Sequence, residues 1–127
     1  MKLYGIGIDI INIQRIKKSI KNKKFIKRVF NRAEILKCKK KLNKANCFAK
    51  RFAAKEAFSK ALGTGVSKGI NLNEIIIKNT SFGKPNIVLE GNTKKKVEKL
   101  IKKKKFNIFL TLTDDKPFAI ATVIISI

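Results

Sequence analysis

The chain has 127 residues, 44% of them hydrophobic, and carries 31 Lys and Arg against 8 Asp and Glu for a formal net charge of +23. That length builds one core and is too short for two ordinary domains, so a single domain over residues 1–127 is expected. Uncharged apolar runs of only about five to seven residues exclude a membrane-spanning helix, and an amino terminus that enters a strand at once excludes a signal peptide, so a soluble cytoplasmic protein with no membrane partner is expected.

Residues 3–10, Leu3-Tyr4-Gly5-Ile6-Gly7-Ile8-Asp9-Ile10, read as a short buried strand whose glycines admit close approach of another backbone or a ligand. Asn12 is a candidate helix cap, followed by Ile13, Ile16 and Ile20 at helical spacing with Arg15, Lys17, Lys18 and Lys21 on the other faces. A second helical piece covers 24–30, and Asn31 with Glu34 three positions later forms a capping pattern that opens a helix over 32–43. Cys38 and Cys47 lie in lysine-rich helical surroundings with no histidine in the chain, which excludes ordinary zinc spacings and argues against a disulfide. Both read as reduced thiols without a catalytic role.

Ala-rich sequence from about Lys44 to Leu62 predicts the longest helix, stopping at Gly63-Thr64-Gly65. Residues 74–78 and 86–89 predict a hairpin turning at Gly83-Lys84-Pro85, and 93–104 a lysine-heavy helix. Strands over 107–113 and 118–127 follow, joined by a turn at Asp114-Asp115-Lys116-Pro117. The order predicts an α+β fold, a mainly antiparallel sheet packed on a long helix.

Two carboxylates stand out in so basic a chain. Asp9 ends the first strand, and Glu56 projects from a largely apolar stripe of the long helix near Ala49, Phe52, Ala53 and Lys60. Glu56 has a plain structural reading, an i,i+4 ion pair with Lys60 worth roughly 0.2–0.5 kcal/mol. It also has a chemical one: Asp9 and Glu56 hold Mg²⁺ on a polyphosphate surrounded by Lys50, Arg51, Lys55, Lys60 and the 63–65 turn, because hard cations take one or two carboxylates and leave other positions to water and phosphate. Gly5-x-Gly7 lacks the third glycine of a dinucleotide fingerprint and no P-loop is present.

The segments Gly5-Ile6-Gly7-Ile8-Asp9-Ile10-Ile11 with Arg15-Ile16, the block from Phe48 to Gly65 containing Arg51-Phe52-Ala53-Ala54-Lys55-Glu56-Ala57, and Gly83-Lys84-Pro85 together resemble the holo-acyl-carrier-protein synthase family of 4′-phosphopantetheinyl transferases. The resemblance implies transfer of phosphopantetheine from coenzyme A to a serine of apo acyl carrier protein, releasing adenosine 3′,5′-bisphosphate, in support of fatty acid biosynthesis. It implies Asp9 and Glu56 as Mg²⁺ ligands and Lys60 as the cation that meets developing phosphate charge. It further implies a coenzyme A site lined by Arg51, Lys60, Gly63, Thr64, Gly65 and Pro85. Arg15, Lys24, Phe25 and Arg28 would meet the acidic carrier protein, a role that suits a basic face with apolar anchors. A homotrimer with active sites at subunit interfaces is implied as well. Many members carry a histidine before the last strand, where this chain reads Thr111-Leu112-Thr113-Asp114-Asp115. The serine proton then falls to a metal-bound water or a carboxylate, with Asp114 a weak candidate and Glu56 a relay, while Asp114-Asp115 reads first as a hairpin turn rather than a catalytic pair.

Lysine supplies 27 of the 31 basic residues in a chain also rich in Ile and Asn, a pattern that genome composition or recruitment of an anionic partner would each produce. A nucleic-acid-binding protein rests on charge alone, since the lysines are scattered through every element and no nucleic-acid module appears, so no specific nucleic acid is expected. A non-catalytic coenzyme A or acidic-protein binder would keep the basic helix without needing both acids.

Overall fold

A computed structural model describes residues 1–64 and 69–127. Strand β1 (Leu3–Asn12) runs into α1 (Ile13–Ser19) through Asn12, whose side chain accepts the Gln14 N–H, and Asn22 caps α2 (Lys23–Val29) in the same way. Asn31 and Glu34 form a reciprocal capping box at the start of α3 (Arg32–Lys39), which ends four residues earlier than its sequence pattern. Helix α4 (Lys44–Leu62) is capped by Asn43 and terminated by Gly63 in the left-handed region at φ 85°.

After a 3-10 turn at Leu72–Glu74, β2 (Ile75–Asn79) and β3 (Pro85–Leu89) form the expected hairpin. The Glu74 carboxylate accepts the N–H groups of Asn92 and Thr93 and so caps α5 (Gly91–Ile101) from outside the helix. This helix ends at Lys102 with φ 62°, short of its predicted limit, so the following lysines lie beyond it. Strands β4 (Asn107–Asp115) and β5 (Phe118–Ser126) close the chain. Asp114 and Asp115 correct the turn reading: both belong to β4, paired with Ala119 and Phe118, and Lys116-Pro117 alone makes the connection.

The strands form two antiparallel sheets, one ordered β1-β5-β4 and one β2-β3. Helix α4 packs across the inner face of the larger sheet, where Ala119, Ala121, Val123 and Ile125 are completely buried. The fit depends on two glycines. A Cβ at Gly5 would land on the Ala61 carbonyl oxygen and one at Gly7 on the Ala57 carbonyl, so only glycine lets the β1 backbone touch that of α4. Ala49, Ala53 and Ala57 are fully buried on the same helix. Among the described residues no helix is long and apolar enough to cross a membrane.

The cysteines depart from expectation. The end of α3 folds back onto the first turn of α4, bringing Cys38 and Cys47 to a Cα separation of 5.5 Å, and their sulfurs are bonded. Their lysine-rich helical surroundings carried no information on how the two helices meet.

Candidate active site

Asp9 follows Gly5 and Gly7 on the same face of the edge strand β1, which runs back along α4 from Ala61 to Ala57, and so lies beside the part of that helix that carries Glu56 and Lys60. Its Oδ1 accepts from Lys60 Nζ at 3.1 Å, and Lys60 donates also to the Ile8 carbonyl at 3.1 Å. Lys60 therefore bridges strand and helix rather than forming the i,i+4 pair with Glu56 that the spacing suggests. Glu56, one helical turn earlier, is half-buried, and its carboxyl is raised above the ordinary range, first by burial and then by the Asp9 charge, against the opposing pull of Lys60 and Arg15. Two carboxylates that repel each other stand here, with the partly exposed Lys60 ammonium and the Arg15 charge opposing them. Their oxygen donors suit a hard divalent cation that takes its remaining positions from water and phosphate, and no cluster of three or more His, Cys, Asp or Glu occurs among the described residues.

A second group of expected residues gathers elsewhere. Five residues along α4 turn Arg51 by about 140° from Glu56, onto the wall of a cleft of about 840 Å³ lined by Lys37, Lys41, Lys50, Asn79 and Pro85. Arg51 is buried at 6% exposure, donates to the Cys47 carbonyl at 3.3 Å and to Asn79 Oδ1 at 3.3 Å, and leaves its Nε without a hydrogen-bond partner. The lysines of this cleft, with Arg51 in its wall, give it the positive charge that suits an anion. Asp9, Glu56 and Lys60 do not line this cleft. Gly63 and Thr64 follow the end of α4, and Gly65 lies outside the described residues.

Lys55 is not among the groups available to a polyphosphate. Its Nζ is fully buried and donates to Glu34 Oε1 at 2.7 Å and to the carbonyls of Leu72 and Ile75 at 2.8 and 2.6 Å. Burial pulls this ammonium down to about 8, against the Glu34 carboxylate that holds it up and with Arg51 adding to the lowering. Glu34 completes its set by accepting the Asn31 and Ile77 N–H groups at 3.0 Å. The capping pattern identified Glu34 but not this second duty. A signal for Lys55 was present, since it shares the helical row of Phe48, Phe52, Ser59 and Leu62.

Asp114 accepts from Lys50 at 2.7 Å and from Asn46 at 3.0 Å, and these hydrogen bonds hold its carboxyl below the usual range. Of the residues expected to face a partner, Arg15, Lys24 and Arg28 are exposed on α1 and α2. Phe25 is not a free anchor: it is half-buried, its ring 6.3 Å from Phe30 and 6.0 Å from Phe52, with the Arg28 guanidinium over it.

The family model described as the 4′-phosphopantetheinyl transferase superfamily matches residues 5–123. The chain belongs to that superfamily. A holo-[acyl-carrier-protein] synthase of Pelagibacter ubique is 50% identical over 125 residues, 98% of each chain. Among solved structures, the holo-[acyl-carrier-protein] synthase of Neisseria meningitidis superposes with a TM-score of 0.86 at 31% identity, covering 98% of this chain and 99% of its own. The Helicobacter pylori enzyme, solved in complex with coenzyme A, superposes with a TM-score of 0.79 at 34% identity over 95% of this chain and 99% of its own. The span matched to the phosphopantetheinyl transferases contains both residue groups described above.

Proposed function

We propose that the chain is a holo-[acyl-carrier-protein] synthase, transferring the 4′-phosphopantetheine of coenzyme A to a serine hydroxyl of apo acyl carrier protein and releasing adenosine 3′,5′-bisphosphate. The observation that carries the reading is the convergence of Asp9 and Lys60, with Glu56 beside them, at the seam where two glycines let β1 touch α4. Asp9 and Glu56 would hold Mg²⁺, which when bound orients the pyrophosphate and offsets its charge. Lys60, 54% exposed at its side chain, turns its ammonium from Asp9 toward the oxygen that gains charge as the serine oxygen attacks the β-phosphorus. The basic cleft around Arg51 and Pro85 takes the nucleotide end of coenzyme A. Asp114, whose carboxyl is held below the usual range by Lys50 and Asn46, is a poor proton acceptor.

The two groups lie on different sides of α4, and among the described residues the outer face of the larger sheet is exposed. Ile6, Ile8 and Ile10 are 58–60% exposed, and Ile6 aligns across the ladder with Ile124 and Phe109. An apolar row of this kind favours burial against further copies of the chain. We place Asp9 and Glu56 of one copy beside the Arg51 cleft of the next in a homotrimer, with Arg15, Lys24 and Arg28 presenting positive charge to the acidic carrier. The setting is the cytoplasm.

The test is incubation with apo acyl carrier protein, coenzyme A and Mg²⁺, followed by the intact mass of the carrier. Wild type adds one phosphopantetheine. Folded Asp9→Ala and Glu56→Ala variants are expected to lose transfer by about 10²-fold or more, and undiminished transfer by both would reject the site.

A further inference from the structure

One sulfur of a bonded pair, that of Cys47, sits in the wall of the basic cleft, and the transfer chemistry uses neither sulfur. The Cys38–Cys47 bond joins the last turn of α3 to the first turn of α4 and closes the segment between them. Lys41, Leu42 and Asn43, which line the cleft, all lie inside that closed segment. The flanks are tied in as well. Lys37, next to Cys38, donates to Asn79 Oδ1 at 2.6 Å, and Arg51, one turn after Cys47, donates to Cys47 Sγ at 3.1 Å and to the same Asn79 oxygen. Cys38 is completely buried, whereas Cys47 lines the cleft with 8% exposure, so an incoming thiol meets Cys47 first.

We infer that Cys38–Cys47 is a redox site whose bonded form holds the cleft in its high-affinity state for a phosphorylated nucleotide and whose reduced form binds that nucleotide more weakly. The inference rests on the reading of the cleft as the nucleotide site. The reductant is a dithiol. One of its thiolates attacks Cys47 Sγ, forming a mixed disulfide, and Cys38 leaves as a thiolate and takes up a proton. The second thiol of the reductant then attacks its own bonded sulfur, releasing Cys47, and the reductant departs as a cyclic disulfide after giving up two electrons. Air or an oxidised dithiol reverses the sequence.

Reduction weakens binding for two reasons. The segment 39–46 loses its covalent closure, so Lys41, Leu42 and Asn43 must be ordered at the expense of binding. The released Cys47 sulfur faces the Arg51 guanidinium, and any thiolate charge there competes with a phosphate for the same cation.

The probe is adenosine 3′,5′-bisphosphate, which has no thiol and cannot itself open the bond. Full-length protein purified without reductant is denatured and alkylated before and after dithiothreitol, and calorimetry measures bisphosphate affinity of both forms. The expected result is no alkylation before treatment, two adducts after it, and a Kd at least about threefold weaker for the reduced form. A Cys38→Ser/Cys47→Ser variant should bind like the reduced form and ignore dithiothreitol. Two free thiols in the untreated protein, or a change in Kd of less than about threefold, overturns the redox site alone. Absence of binding by both forms overturns it together with the nucleotide reading.

Discussion

Glu56 owes its character to its surroundings. Alone on a solvated helix it would titrate as an ordinary carboxylate, but burial and the Asp9 charge favour its protonated form in the folded chain. The sign follows: with its folded pKa raised, its contribution to stability is full below the ordinary carboxylate pKa and is lost as pH rises through the raised value. Cation binding has the opposite slope, because it needs the ionised form. Carboxyl NMR of the metal-free protein should find Glu56 titrating above a typical glutamate and moving down in Asp9→Asn, where the repulsion is gone; no movement would show that Asp9 does not act on it. Lys55 shows the converse, a neighbour one residue away that the fold turns into the core. Glu34→Ala would leave that ammonium buried without its counter-charge and should cost about 3–5 kcal/mol in urea unfolding, whereas joint replacement of Glu34 and Lys55 by Leu and Met should cost less.

At the scale of elements, the caps at Asn12 and Asn31 were readable as local patterns, and the structure adds two more at Asn22 and Asn43. Asn12, Asn22, Asn31 and Asn43 each hold a helix start through their own side chains. The glycine pair was readable as a close approach, but its partner was not: α4 is some 50 residues away in sequence, and only packing made its carbonyls the contact. Gly7→Ala is expected to push β1 off α4, costing about 1–3 kcal/mol in stability and moving Asp9 away from Glu56. Thermal unfolding and the carrier assay together should then fall, and a variant with unchanged Tm and activity would show that the contact is slack. The 114–117 segment was misread because two acidic residues before Lys-Pro have turn composition, while pairing to β5 keeps both in the strand.

At the scale of the whole molecule, the proposed sharing of the site between copies rests on where its two residue groups lie. The carboxylates and the Arg51 cleft occupy different faces of α4, and Ile6, Ile8 and Ile10 of the outer sheet face stay exposed among the described residues. Ile8→Lys should disrupt assembly without disturbing the inner core. Light scattering is expected to move from a trimer toward the 14.4 kDa monomer, and transfer to fall by at least about tenfold as the shared site comes apart. A variant that stays trimeric, or a monomer of full activity, would refute the shared site.

The amino-acid sequence by itself determined the α+β class, the helix starts, the long alanine-rich helix and its glycine stop, because these follow from period, caps and backbone freedom within a few residues. It also marked Asp9, Glu56 and Lys60 through their motif. Only the tertiary structure decided that Lys60 pairs with Asp9, that Lys55 faces Glu34, that Phe25 packs inward and that Cys38 meets Cys47. Each of those depends on how two distant elements cross, which is set by the summed packing of the core rather than by any local preference.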